Sequence, residues 1–254
     1  MQKICSVLTG LALITLGSSA ALAQAPNFSG SSSCSLPASV VNQIQNELGT
    51  VVNYRDHNGG LFGHPNQMWS AIVDRTGHLC SVTSVGSSPW PGSRDIAIAK
   101  ASTANDFSNQ YFALSTANLY AATQPGGSLY GLNNSNPFNP TFNAQGTGIG
   151  SVPGGIITFG GGVPLYQNEQ VIGGLGVSGD SSCADHAIAF RMRKLAGFDG
   201  TPEGPNGTGA GADNIIYPPN PPLNIYGPPQ TPGFWQPHCS ANDLTPQQIA
   251  NPPT

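Results

Sequence analysis

The chain has 254 residues, of which only 8% are charged, and its formal net charge at pH 7 is −4. This acidic balance, without a basic stripe, argues against a nucleic-acid partner, because proteins that bind nucleic acids neutralise phosphates with clustered Lys and Arg. Gly and Pro are abundant, at 33 and 23 residues. They crowd into three regions, which predicts long irregular segments around the elements of one core.

Residues 1–23 have the pattern of a secretory signal peptide. Lys3 supplies the positive start, residues 7–16 form an apolar stretch, and the small residues that end at Ala23 provide a cleavage site. No later run is long and apolar enough to span a bilayer. We therefore expect a soluble periplasmic or secreted protein, without membrane insertion, whose mature chain starts near Gln24.

Four cysteines follow the predicted signal peptide: Cys34, Cys80, Cys183 and Cys239. An even count in an exported protein favours disulfides, and four cysteines allow three pairings that the sequence alone does not separate. We favour Cys34 with Cys80 and Cys183 with Cys239. One bridge would then tie the N-terminal leader to a hairpin, and the other would tie the C-terminal tail to a helix. A zinc site built from these dispersed cysteines is the weaker alternative.

The first part of the mature chain predicts a helix followed by a loop with two histidines. Ser35 and Pro37 form a good cap and first turn, and apolar residues then recur at helical spacing. This predicts an N-terminal helix that ends near Asn53. The Gly-rich loop that follows carries His57 and His64.

A hairpin and two helices are predicted next. Strands over 68–73 and 78–85 flank an Asp- and Gly-containing turn. A helix over 93–104 and a short helix over 115–123 follow. The longer helix has a face of small residues that allows close approach to a sheet, to another helix or to a flat cofactor: Ala97, Ala101 and Ala104.

The segment 154–194 predicts a second hairpin and a closing helix. Strands over 156–159 and 171–177 flank a polar turn centred on 167–169. The first strand runs into Gly160, Gly161 and Gly162, and three bare backbone positions indicate that something lies close to the chain there. The neighbour is either a ligand or, as a structural alternative, a bulge or a tightly packed helix.

The closing helix is predicted to start at Ser182, because Ser182 and Asp185 have capping-box spacing. Its basic residues lie toward the C-terminal end, as the helix dipole favours. Four residues at helical spacing are predicted to form its buried face: Ala184, Ile188, Met192 and Leu195.

Several motifs of this chain occur in the same order along the sequence as in a known family. They are GGIITFGGGVPLY at 154–166, VIGGLGVSG at 171–179, WSAIVDRTGHL at 69–79, and a helix carrying Lys100, Ala101, Thr103 and Ala104. Together they resemble the GlcG/HbpS-type haem-binding family, which is also found as the C-terminal part of PduO-type proteins. The resemblance implies an α+β, profilin-like antiparallel sheet with flanking helices, haem as cofactor, and a homo-oligomer.

The resemblance also defines the domain organisation. It implies a GlcG/HbpS-like domain over 24–200, interrupted by a polar, Pro- and Gly-rich inserted loop over 133–153. The Pro-rich extension over 201–254 contains apolar residues and Cys239. We therefore expect it to pack on the domain and to add stability without building the core.

Haem needs an axial donor and cations for its propionates. We rank three axial and metal-ligand candidates in the order His64, His57, His186, although the family's own ligand is not carried over to any of them. Arg94 and Lys100 are the propionate candidates. Gly160, Gly161 and Gly162 are the bare surface on which a planar ligand would lie. The ordinary alternatives are solvated loop histidines and surface charges.

The preferred function is therefore that of an exported haem-binding protein, for capture, transfer or sensing. Catalytic signatures such as G-x-S-x-G, H-E-x-x-H or a phosphate loop do not occur, so a binding protein is favoured over an enzyme. One alternative is an enzyme or accessory domain for a small organic ligand, with Lys100 and His186 as polar groups. Another is an oligomeric assembly module that packs through the small-residue helix.

Overall fold

A four-stranded antiparallel sheet forms the centre of the protein. In the computed structural model its strands are β1 (Trp69–Asp74), β2 (Leu79–Ser84), β3 (Gly162–Gln167) and β4 (Gln170–Ser178), in the order β2-β1-β4-β3. A two-stranded ribbon, β5 (Glu203–Gly204) with β6 (Gly207–Thr208), lies in the C-terminal extension. The structure describes residues 33–62, 66–135, 138–139, 145–218 and 233–253. The predicted signal peptide and His64 lie outside these ranges.

Helices cover both faces of the sheet, which confirms the predicted α+β class. α1 and α4 share a core with one face, and α2 shares a core with the other. Within the described ranges, no helix has the length and apolar character needed to cross a membrane. The helices are α1 (Ala38–Val51), α2 (Pro91–Asp106), α3 (Leu132–Ser135), α4 (Ser182–Leu195) and α5 (Pro246–Ala250).

Strand β1 shows how the sequence produces these two cores. Successive side chains of a strand point to opposite faces. Trp69, Ala71 and Val73 accordingly pack in the cluster with α2, whereas Ile72 packs in the cluster with α1 and α4. All six residues of β1 are buried, as expected for a strand that has neighbours on both edges and helices on both faces.

Asp74 holds the first hairpin, which the sequence predicted. Its buried carboxylate accepts hydrogen bonds from the backbone N–H groups of Thr76 (2.9 Å), His78 (3.0 Å) and Ser35 (2.7 Å). Burial alone would raise the pKa of Asp74, but these hydrogen bonds hold it below its ordinary value. The same side chain thus closes the turn and anchors the leader before α1.

The predicted strand over 156–159 is wrong. This segment pairs with α2 and a nearby turn instead of a strand: the N–H of Ile157 donates to Oγ1 of Thr103, and Oγ1 of Thr116 donates to the carbonyl of Phe159. The strand begins later, at Gly162, and contains Pro164. A proline is tolerated there because β3 is an edge strand of the sheet.

Three helix predictions also need correction. The N-cap of α4 is Ser181, not Ser182, because the Ser181 side chain accepts from the N–H of Ala184. Leu195 is not part of the buried face, since it is 46% exposed. The short helix predicted over 115–123 is a pair of 3-10 turns, Thr116–Leu119 and Ala121–Thr123.

The described part of the C-terminal extension packs against α4. Ile215 and Ile249 are fully buried in a cluster with Ala187 and Phe190 of that helix. A buried ion pair adds to the contact, since Arg193 of α4 donates to both carboxylate oxygens of Asp213. The extension therefore supplies both apolar and charged partners to α4.

Candidate functional site

The triple glycine lies where α2 and α4 approach the start of β3. A Cβ added to Gly160 would lie 2.9 Å from the Cβ of His186, and one added to Gly161 would lie 2.6 Å from Nζ of Lys100. At Gly162 an added Cβ would overlap the backbone carbonyl of Lys100. The described structure therefore supports the alternative in which these positions are bare so that helices can pack closely.

The small-residue face of α2 is used in the same way. Ala97 and Ala101 are fully buried, and their carbonyl groups lie where side chains at Gly176 and Gly174 of β4 would have to be. Close packing of α2 on β4 therefore accounts for this face. Because Ala97, Ala101 and Ala104 are fully buried, this face is not exposed for packing against a second copy, as the assembly-module alternative would need.

Lys100 is fully buried between the sheet and α4. Its Nζ lies 2.7 Å from Oδ2 of Asp185 and donates to the carbonyl of Val177 at 3.1 Å. Burial lowers the pKa of Lys100 and raises that of Asp185 to about 6, and the attraction between the two charges opposes both shifts. The structure thus gives Lys100 a carboxylate partner inside the protein, in place of the propionate predicted from the sequence.

His186 is also buried, beneath the C-terminal extension. Its Nε2 lies 3.1 Å from Oδ1 of Asn214 and 3.1 Å from the backbone N of Ile215. Its Nδ1 has no hydrogen-bond partner among the described residues. Burial lowers the pKa of His186 to about 4, so the ring is neutral at pH 7. The extension occupies Nε2, and because the whole side chain is buried, neither ring nitrogen is open to an external ligand in this conformation.

The structure thus brings His186, Lys100 and the three glycines together, but they pack against one another and do not form an open binding site. The enzyme alternative would use Lys100 and His186 as its polar groups, and both are fully buried. Their partners, Asp185 and Asn214, were not identified as such from the sequence. Asp185 was noted only as a capping residue, and the role of Asn214 has no local signal.

Both disulfides connect the pairs favoured from the sequence. Cys34 is bonded to Cys80, and Cys183 is bonded to Cys239. The first ties the leader to β2, and the second ties the extension to the first turn of α4. A zinc site is not compatible with these bonds, because a metal ligand must be a free thiolate.

The remaining candidates are His57, which is exposed, and Arg94, whose side chain is only 2% exposed. His57 is exposed at the start of a 3-10 turn, His57–Gly59, and the described chain continues from there to Phe62. Arg94 lies in the first turn of α2, where it donates to the carbonyl of Thr147 at 2.7 Å. It also lines a cavity of about 300 Å³, together with Trp69 and Ile149.

Three large exposed apolar side chains follow His57 or precede Arg94 in the chain, and we call them the aromatic surface: Leu61, Phe62 and Trp90. They are 48%, 54% and 60% exposed, and the rings of Phe62 and Trp90 are 6.4 Å apart. The carbonyl of Trp90 accepts from Nε1 of Trp69 at 2.9 Å, which links the patch to the cavity wall. Exposed large apolar groups that cluster in this way mark interaction sites.

Asp180 supports this patch from the end of β4. Its carboxylate accepts from the N–H of Leu61 at 2.7 Å and from that of Phe62 at 3.4 Å. The sequence reading missed Asp180, Trp90 and the two apolar loop residues. The available signal was the pair of apolar residues, Leu61-Phe62, between two histidines in an otherwise polar loop.

Comparisons with known proteins identify the family. A family model described as haem degrading protein HbpS-like matches residues 64–193, just over half of the chain. Klebsiella pneumoniae protein ORFY shares 26% identity over 63% of this chain and 90% of its own, with a TM-score of 0.46. A search of curated proteins found no match.

Two further solved structures are similar to the chain. A PduOC:Heme complex shares 25% identity over 63% of this chain and 94% of that chain, with a TM-score of 0.47. A double mutant of Streptomyces reticuli HbpS shares 18% identity over 76% of this chain and 99% of that chain, with a TM-score of 0.37. Given the family model that spans residues 64–193, the chain belongs to the HbpS-like family.

Proposed function

We propose that this protein is exported and binds haem at the aromatic surface, for capture, transfer or sensing. The observation that carries the proposal is the exposure of Leu61, Phe62 and Trp90 beside a loop with two histidines, in a member of a family described as haem-degrading. The identity of the ligand, haem, is inferred from the family. The structure supplies a surface with the apolar character and neighbouring groups that haem requires.

The aromatic surface suits one face of a porphyrin. The rings of Phe62 and Trp90 have centroids 6.4 Å apart and are tilted by 56° relative to each other, and both side chains are more than half exposed. Covering three such side chains with an apolar ring removes a large area from water, and burial of apolar area is the main favourable term in such binding.

The axial donor would come from the same loop. His64 follows Phe62 by two positions in the sequence, and His57 precedes Leu61 by four. His57 is exposed, whereas His186 is buried against the extension. We therefore keep the order His64, then His57, and assign His186 a structural role in this conformation.

Arg94 is the proposed cation for a propionate. It lies one helical turn after Trp90 and lines the cavity next to the aromatic surface. An arginine forms paired hydrogen bonds to a carboxylate. Arg94 is only 2% exposed, donates to the carbonyl of Thr147 and lies 3.7 Å from the carboxylate of Asp95, so binding a propionate requires it to exchange these contacts and open toward the cavity. Lys100 is not proposed, because its ammonium is fully buried beside Asp185.

Export is supported by the two disulfides. Such bonds persist in oxidising compartments and are rare in the cytosol of mesophiles, and residues 1–23 have the composition of a signal peptide. Haem reaching this protein would then be bound outside the cytoplasm. That location fits capture or transfer of haem.

A hemin titration tests the proposal. We expect saturable binding with a shifted Soret band in the wild type, and an altered band in His64→Ala or His57→Ala, according to which residue ligates the iron. His78→Ala is the matched control, since His78 is a half-buried histidine on the distant hairpin turn. An unchanged spectrum in both loop variants would contradict histidine ligation from this loop.

A further inference from the structure

We infer that Arg191 is a positioning residue for the ligand-binding loop. From α4 it binds the start of the segment 56–62, where His57 and Asn58 have a strained backbone, and so fixes the direction in which the segment continues. The inference rests on the proposed function, because the segment carries His57 and two residues of the aromatic surface. Neither the family match nor the sequence motifs assign a role to Arg191.

The segment begins with two consecutive residues in the left-handed region of backbone space. His57 has a φ of 50° and Asn58 a φ of 53°. Such a conformation is unfavourable for a residue other than glycine, and it persists only where the surroundings impose it. Strain of this kind concentrates at sites where a side chain must be presented in a fixed direction.

Arg191 supplies much of that imposed geometry. Its Nη1 donates to Oδ1 of Asp56 (3.0 Å) and to Oδ1 of Asn58 (2.7 Å). Its Nη2 donates to Oδ2 of Asp56 (2.7 Å) and to the carbonyl of Gln248 (2.9 Å), and its Nε donates to the carbonyl of Ile249 (3.2 Å). All five N–H donors of the guanidinium are therefore used, and the side chain is only 1% exposed.

These bonds join three parts of the chain at one point. Arg191 itself belongs to α4, Asp56 and Asn58 belong to the strained turn, and the two carbonyls belong to α5 of the extension. Burial alone would raise the pKa of Asp56, but the hydrogen bonds from Arg191 and from the backbone of Asn58 hold it below its ordinary value. Asp56 is therefore charged at neutral pH and completes an ion pair with Arg191.

The rest of the segment is held by residues other than Arg191. A Cβ added to Gly59 would lie 2.9 Å from the carbonyl oxygen of Asn242 in the extension, and Asp180 binds the N–H groups of Leu61 and Phe62. The backbone is thus fixed while the side chains of His57, Leu61 and Phe62 remain exposed. Fixing a binding loop in advance reduces the ordering cost paid when a ligand binds.

Arg193 provides a matched control for this role. It lies on the same helix, is fully buried, and makes a two-pronged ion pair with Asp213. It donates to Asp213 and to the carbonyl of Pro164, neither of which belongs to the strained segment. Arg191→Lys and Arg193→Lys therefore each remove a buried guanidinium that is paired with an aspartate, and we expect only the first to loosen the loop.

The experiment compares these two variants with the wild type by hemin titration and by hydrogen exchange of the segment 56–62. We expect Arg191→Lys to bind hemin about ten-fold more weakly, as for a loop that spends about a tenth of its time in the competent conformation. We also expect an altered Soret band and faster exchange confined to 56–62. Arg193→Lys should keep the wild-type spectrum, affinity and exchange in that segment.

Equal hemin binding by the two variants would overturn the inference. If Arg191→Lys does not fold, the same two measurements are made on Asp56→Asn. This variant removes the carboxylate that Arg191 binds and leaves the arginine in place. If the wild type itself binds no hemin, the proposed function fails. Hydrogen exchange then still decides the positioning role: faster exchange limited to 56–62 supports it, and an unchanged or uniform rate overturns it.

Discussion

Nζ of Lys100 lies 2.7 Å from Oδ2 of Asp185, and both side chains are buried. The pair joins α2 to α4 at the point where Gly161 leaves no room for a side chain. The ring of Phe159 lies 5.0 Å from the same ammonium, which adds a cation–π contact. This arrangement makes the predicted cofactor residue, Lys100, part of the structural core.

Removing either Lys100 or Asp185 should lower the free energy of unfolding strongly. Removing both should lower it by less than the sum of the two single losses. Lys100→Met or Asp185→Asn leaves one buried charge without its partner, which costs about 3–5 kcal/mol. Urea unfolding of the two single variants and of the double variant measures the coupling. Additivity within about 0.5 kcal/mol would contradict a direct interaction.

A side chain at Gly161 should destabilise the fold whether or not haem is present. Gly161 has a φ of 120°, and an added Cβ would lie 2.6 Å from Nζ of Lys100. Backbone strain and overpacking together predict a loss of about 3 kcal/mol for Gly161→Val. Gly200→Ala is the control, since an added Cβ there meets nothing within 4 Å. Normal stability of Gly161→Val with loss of hemin binding would instead place the ligand on the glycines.

Stability should fall in mild acid because of His186. Burial lowers the pKa of His186 to about 4 in the folded state, against about 6.5 when unfolded. The contribution of neutral His186 to the free energy of unfolding is therefore complete above pH 6.5. It is lost as the pH falls from 6.5 toward 4, and about 2–3 kcal/mol has been lost at pH 4.5.

Asp185 acts in the opposite direction over part of the same window. Burial raises its pKa to about 6, so protonation favours the folded state as the pH falls from 6 toward 4. The effect of His186 is isolated by comparing the wild type with the non-titrating variant His186→Gln at pH 7 and pH 4.5. The variant should lose less stability over this interval, and an equal loss would contradict a neutral, buried His186.

With the predicted signal peptide removed, the oxidised protein should contain no free thiol. Thiol counting under denaturing, non-reducing conditions measures this, and peptide mapping should recover Cys34 with Cys80 and Cys183 with Cys239. Replacing Cys183 and Cys239 by Ser should cost about 2–4 kcal/mol, because the bond closes a long loop, with a sequence separation of 56. Two or more free thiols per chain would show that the pairing is wrong.

The sequence predicted elements that have a local signal. Periodic apolar residues located α1 and α4, and the Asp74 turn located the first hairpin. The strand over 156–159 was wrong because β-branched residues indicate an extended chain but not whether another strand lies beside it. Only the structure shows that Ile157 bonds to the side chain of Thr103.

The candidate site was harder to predict because its parts are distant in the chain. Lys100 and Asp185 are separated by 85 residues, and Asp56 and Arg191 by 135. No local spacing connects such groups. Lys100, which resembles a ligand contact in the sequence, is therefore a buried ion-pair partner in the fold. The clustering of exposed apolar residues beside the histidine loop is visible only in three dimensions.

Hemin binding by aromatic-surface variants tests the central claim most directly. Trp90→Ser should weaken hemin binding by about ten-fold or more, because it removes a large part of the exposed apolar area. Tyr111→Ser is the matched control: Tyr111 is 73% exposed and lies beyond the opposite end of α2. The account predicts that only the Trp90 variant loses affinity while both remain folded. Equal affinity for hemin in the two variants would contradict binding at the aromatic surface.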